Sequence, residues 1–303
     1  MPIKIIIDTD IATDVDDAIA IAFALRRPEL DVKAITTVHG PVQKRAEILA
    51  RLLAVAGRAD VPYATGRALP QGPLSEERRR KILDEVPNQH PFVRAGEPLP
   101  PPTCATADEL LERAIEENAG DIWLVAIGAM TNAAALIRER PDLAAKLKGI
   151  ACMAGDPHTH RPEWNVVCDP EAAREVFRSG LVRFMGTFDI TRQVVMGDAS
   201  LDRLRTAGTP LANAMLELIG LWQPLQKHKA HPVVYDVCPL AWLFAPQHFG
   251  VEPMPVDVVL TEGPQRGCTI PAAAGPALGV SNAIDSAAVL EMLMTTLEQE
   301  PRH

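Results

Sequence analysis

The chain has 303 residues, 47% of them hydrophobic and 23% charged, with a formal net charge of -9. That is the composition of a globular protein able to bury a large core, and the negative balance, without a basic stripe interleaved with aromatics, argues against nucleic acid as a partner. No run of about 18 apolar residues is present to span a membrane, and the stretch before the first acids is too short for a signal peptide, so a cytoplasmic address is expected.

Residues 5–7 are three isoleucines, read as a strand buried on both faces. Asp8, Asp10, Asp14, Asp16 and Asp17 follow, and residues 18–25 are good helix formers, apolar on almost every side. The unit is therefore strand, acidic loop, buried helix. In open α/β sheets ligands collect outside the carboxyl ends of strands, which puts a site at this loop. Five carboxylates repel one another unless something cationic sits among them. An all-oxygen donor set suits Ca²⁺ or Mg²⁺; the plainer alternative, helix capping by Asp14 or Asp16, needs only one or two acids.

Strand and helix patterns then alternate. Residues 32–38 read as a strand, 43–56 as a helix and 61–64 as a short strand. Residues 68–103 break the rhythm with eight prolines and the cluster Arg78, Arg79, Arg80, Lys81, read as a surface excursion holding a short helix. A helix over 107–118 leads to a strand over 122–127, then a turn through Thr131 and Asn132 into a helix over 133–138. Residues 149–153 form the next strand, followed by the polar loop 156–165, a helix over 170–179 and a strand over 182–185. Helices are expected over 198–206 and 211–227, and Tyr235 and Asp236 open another apolar helix. Strands over 255–260, 267–270 and 277–280 and a helix over 286–297 close the chain. With no repeat or linker, one domain over residues 1–303 is expected: α/β, an open, mostly parallel mixed sheet flanked by helices. The five cysteines are odd in number and lack a CxxC, which fits reduced thiols. His158 and His160 form an HxH pair without the further ligands zinc needs. His39 either lines the site or is a satisfied polar residue at a strand end.

Five spaced motifs share one resemblance. DTDIATDVDDAIA resembles the opening signature DTDPGxDDAxA of the inosine-uridine preferring nucleoside hydrolases, in a longer-loop form. ITTVHG, LVAIGAMTNAAA, the pair MAGD and PEWNVVCDPEAAREVF, and YDVCPLA resemble that family's later motifs, in family order. The resemblance implies a Rossmann-like nucleoside hydrolase fold, one Ca²⁺ and hydrolysis of the N-glycosidic bond of a small-molecule ribonucleoside. It assigns Asp10, Asp17, Asp236 and the carbonyl of Thr131 to the metal, with Asp10 also the general base. It assigns Asp16, Glu163 and Asn165 to ribose, with Trp164 where the family usually has Phe, and Asp8 as support behind the loop. A homodimer or homotetramer is implied too. Two departures stand out. Pro41 replaces an Asn on the ribose side, and Tyr235 stands where many members carry a His that protonates the leaving base. A phenol with a reference pKa of about 10 is a poor acid at neutral pH, so pyrimidine or unusual ribosides are expected ahead of purines, unless His228 or His231 substitutes. Two other readings stay open: a ribosyl-binding member without turnover, and a haloacid-dehalogenase-like phosphatase using Asp8 and Asp10, which leaves Asp16, Asp17 and Asp236 unexplained.

Overall fold

The computed structural model describes residues 1–226 and 231–299. Nine strands are formed among them: β1 Ile3–Thr9, β2 Leu30–Thr37, β3 Tyr63–Thr65, β4 Ile122–Ala126, β5 Gly149–Met153, β6 Val182–Gly186, β7 Phe249–Val258, β8 Thr269–Pro271 and β9 Ala277–Ile284. They make one α/β domain around a single mixed sheet in the order β3-β2-β1-β4-β5-β6-β9-β7-β8. Pairing is parallel from β3 to β9 and antiparallel where β7 meets β9 and β8. The chain runs outward from β1 to β2 and β3, then returns to place β4 on the other side of β1. The carboxyl ends of β1 and β4 thus form the topological switch point, where such sheets bind ligands.

The helices are α1 Asp16–Arg26, α2 Val42–Val55, α3 Glu76–Leu83, α4 Ala107–Glu117, α5 Thr131–Glu139, α6 Pro141–Ala144 and α7 Trp164–Cys168. They continue with α8 Pro170–Arg178, α9 Phe188–Thr191, α10 Asp198–Ala207, α11 Pro210–Trp222, α12 Val237–Phe244 and α13 Ser286–Leu297. The three isoleucines of β1 do what their run implies: Ile5 and Ile7 enter the core on one face of the sheet and Ile6 the core on the other. Each contributes about 1.5–3 kcal/mol by leaving water. Helix α1 is buried from Asp16 to Leu25 and packs against α2, α11, α12 and α13. An element hemmed in on all sides fixes its first turn, and with it Asp16 and Asp17.

Five strands start elsewhere than expected, β1, β2 and β8 by two residues each. β3 begins at Tyr63 rather than Val61, and β7 begins at Phe249 rather than Pro255. Proline cannot donate to a ladder, but Pro253 and Pro255 sit where β7 pairs only with β9, because β8 covers only Val256–Val258. The excursion carries the short helix α3, capped by Ser75 and exposed along Arg78–Lys81. No described helix is long and apolar enough to cross a membrane.

Candidate active site

A cavity of about 490 Å³ opens at the switch point, and Asp10, Asp14, Asp16, Asp17, Glu163, Trp164, Asn165, Tyr235 and Asp236 line it together with Ile127, Met153 and Phe188. Six chain segments meet there: the β1 loop, the ends of β4 and β5, the loop before α7 with its first turn, and the starts of α9 and α12. Of the residues expected at the site, only Thr131 stays out. It is the first residue of α5, its hydroxyl donates to Asp169 Oδ2 at 2.8 Å, and a helical carbonyl points toward the helix's carboxyl end, away from the turn. The residue of that turn on the cavity is Ile127, whose carbonyl accepts a hydrogen bond from Asn165 Nδ2 at 3.0 Å. Asn165 Nδ2 also donates to the Met153 carbonyl at 3.1 Å, tying the ends of β4 and β5 together.

The acids are buried. Asp10, Asp16, Asp17 and Asp236 are each 2–4% exposed. One carboxylate oxygen from each of Asp16, Asp17 and Asp236 lies within 4.8 Å of the others, the one such group among the described residues able to share a metal ion. Thr9 Oγ1 donates to Asp17 Oδ1 at 2.5 Å, while Asp10 Oδ2 is buried without a partner. Burial drives the Asp17 and Asp236 carboxyls well above the usual carboxylate range, and the neighbouring acids push them further. Asp10 is raised by burial too, with the Arg45 guanidinium pulling the other way. An orphaned oxygen and mutually repelling carboxylates fit a hard cation.

Asp8 lies behind the loop. Its Oδ1 accepts from Thr36 Oγ1 at 2.6 Å and Asn132 Nδ2 at 2.8 Å, and burial lifts its pKa to about 7. Glu163 caps α7: Oε1 accepts from Asn165 N, and Oε2 from Gly155 N and Val166 N. Burial outweighs these three bonds, and its pKa rises to about 7. Trp164 stands 53% exposed at the rim, and the Tyr235 ring stacks on Phe188 at 5.5 Å.

Among the described residues no histidine lines the acidic cavity. His39 is buried beside a second cavity that also touches Trp164, and burial, with Arg45, lowers its pKa to about 4. His231 bonds Asp198 at 2.9 Å and does not line the acidic cavity, and His228 lies outside the described residues. His158 meets the Ser281 carbonyl at 3.1 Å, and His160 is exposed. Pro41 is buried at the start of α2, off the cavity.

Two residues outside the expected set reach the acidic loop. Gln89, from the excursion, is fully buried and donates to the Asp14 carbonyl at 2.7 Å. Arg45, on α2, is 1% exposed and donates to the Asp10 and Ile11 carbonyls. Helical spacing marks Arg45, since it falls on the stripe of Val42, Ala46, Leu49 and Leu53 that α2 buries. Gln89 sits in irregular chain and carries no such signal.

The profile of the inosine-uridine preferring nucleoside hydrolases matches residues 5–292. The pyrimidine-specific ribonucleoside hydrolase RihA of Salmonella agona is 34% identical over 263 residues, 82% of each chain. A plant nucleoside hydrolase, PpNRh1, superposes with a TM-score of 0.86 over 99% of this chain and all of its own, at 25% identity. An inosine-guanosine nucleoside hydrolase does so with 0.83 over 98% of this chain and 99% of its own, also at 25% identity. The match runs from β1 into α13 and takes in every segment that lines the acidic cavity, which a two-aspartate phosphatase motif does not explain: the chain belongs to the inosine-uridine preferring nucleoside hydrolase family.

Proposed function

We propose that this chain is a Ca²⁺-dependent N-ribohydrolase that cleaves ribonucleosides to free base and ribose, pyrimidine ribosides ahead of purine ribosides. The observation that carries this reading is the acidic cavity, which buried carboxylates and aromatic rings line together. Asp10, Asp17 and Asp236, with the Ile127 carbonyl, would hold the cation. When bound, Ca²⁺ would fix the ribose hydroxyls and acidify the attacking water.

The side chains do the rest. Asp10, whose Oδ2 has no other partner, accepts the proton of the attacking water as general base. Asp16, Glu163 and Asn165 take ribose hydroxyls, and the negative charge around them favours the oxocarbenium-like state as the glycosidic bond lengthens. Trp164, Phe188 and Tyr235 offer apolar rings to the base. A phenol is a weak acid for a departing purine, which needs protonation more than uracil does, and the specificity in the name of RihA agrees with that direction.

Ribose release from uridine, cytidine, inosine, adenosine and guanosine, with and without chelator, tests the reading. The expected result is chelator-sensitive ribose, fastest from the pyrimidine nucleosides and abolished in Asp10→Asn. Chelator-resistant release would remove the cation from the mechanism. No release from any of the five, with Ca²⁺ bound, would make the chain a ribosyl-binding member without this turnover.

A further inference from the structure

Two turns, at the carboxyl ends of β1 and β2, hold a backbone conformation that side chains resist. Ala12 has φ +82° and His39 has φ +61°, and neither is glycine, so each turn holds a conformation that an L-residue adopts only under strain. They lie on different loops, after β1 and after β2, and one side chain reaches both. Arg45 Nε donates to the His39 carbonyl at 2.7 Å, and Nη1 donates to the Ile11 carbonyl at 2.7 Å and to the Asp10 carbonyl. A fully buried guanidinium spent on three main-chain carbonyls is costly unless its bonds are all made, so it fixes the geometry around it.

We infer that Arg45 is a positioning residue that clamps the turns after β1 and β2 together and thereby aims the Asp10 carboxylate into the acidic cavity. The inference rests on the metal-dependent reading above. It differs from a charge effect in sign. As a positive charge near a cation site, Arg45 would weaken Ca²⁺ binding, and its removal would tighten it. As a clamp, its removal loosens Asp10 and weakens binding. Lysine keeps the charge and loses the planar fork, so Arg45→Lys and Arg45→Met separate the two.

The test is Ca²⁺ titration calorimetry on the full chain, with far-UV circular dichroism to verify folding. The clamp predicts about tenfold weaker Ca²⁺ binding in both Arg45→Lys and Arg45→Met. At saturating Ca²⁺, kcat on uridine should fall at least about tenfold with KM changed by no more than about twofold. Wild-type affinity in Arg45→Lys, or tighter binding in Arg45→Met, overturns it. If Arg45→Met does not fold, a second variant decides. Glycine takes a positive φ without strain, so Ala12→Gly added to Arg45→Lys should recover at least about threefold of the lost affinity. No recovery sinks the clamp. A wild-type chain that binds no Ca²⁺ fails the underlying reading and takes the clamp with it, whereas normal wild-type binding with an unaffected Arg45→Lys removes the clamp alone.

Discussion

Tyr235 puts a phenol beside the metal-ligand candidate Asp236 and against the Phe188 ring, where the resembling motif usually carries imidazole. Imidazole has a reference pKa near 6.5 and can lend a proton at neutral pH; a phenol near 10 rarely does. Tyr235→His is therefore expected to raise inosine turnover about tenfold or more near pH 6 and to lose that gain as the pH passes about 7, because a general acid contributes roughly 10²–10⁴-fold only while protonated. Uridine should respond far less. An unchanged inosine-to-uridine ratio in steady-state kinetics would mean that residue 235 does not set base preference. At this scale the sequence was most informative where residue type was unusual for its place, the acids crowded after an apolar strand, whereas Glu163, Trp164 and Asn165 were marked only by the family resemblance. It misled at Thr131, because choosing which carbonyl of a turn faces a cavity requires knowing where the helix starts. It was silent on Gln89, whose role exists only once the excursion folds back on the acidic loop.

Elements fix the site by how closely they approach. Gly128, after β4, sits so near the β1 loop that a Cβ there would lie 2.6 Å from the Asp10 nitrogen and 3.0 Å from Asp10 Oδ1. Neither neighbour can turn aside without moving Asp10, the proposed general base. Gly128→Ala should accordingly cut kcat by about 100-fold, the usual cost of an ångström's misplacement at a reacting centre, while the melting temperature falls by only a few degrees. A variant that melts far lower yet turns over normally when folded would show that this contact serves packing alone. The strand, acidic loop and buried helix were legible because burial on both faces leaves an unbroken apolar run and the acids interrupt it abruptly. The start of β7 was not: the expected strand opens at Pro255, and only the sheet order shows that the edge facing away from β9 is open before Val256 and so tolerates Pro253 and Pro255 inside the strand. Arg45 sits on the buried stripe of α2, where helical spacing marks it, but nothing in the sequence says which carbonyls it meets.

Across the whole molecule, buried acids make stability a function of pH and cation together. Asp8 and Glu163, with ordinary values of 3.8 and 4.5, are raised to about 7 by burial, and Asp10, Asp17 and Asp236 move in the same direction. Between the ordinary and the raised values, the folded chain keeps protons that the unfolded chain has released. Its stability therefore falls as the pH climbs from about 4 to about 7. His39 opposes this: lowered from 6.5 to about 4, it favours folding as the pH rises through that window, because only the unfolded chain is protonated there. One imidazole stands against at least five carboxyls, so the net slope is downward. A divalent cation held by Asp10, Asp17 and Asp236, as proposed, would replace their protons and bind more tightly as these leave. Thermal melts in chelator are thus expected to show a falling melting temperature from about pH 5 to about pH 8, with excess Ca²⁺ adding roughly 5–10 °C at the upper end and little at the lower. A chelated protein that gains stability over that range, or a Ca²⁺ shift that shrinks as the pH rises, would contradict the assignment of these acids to a cation site.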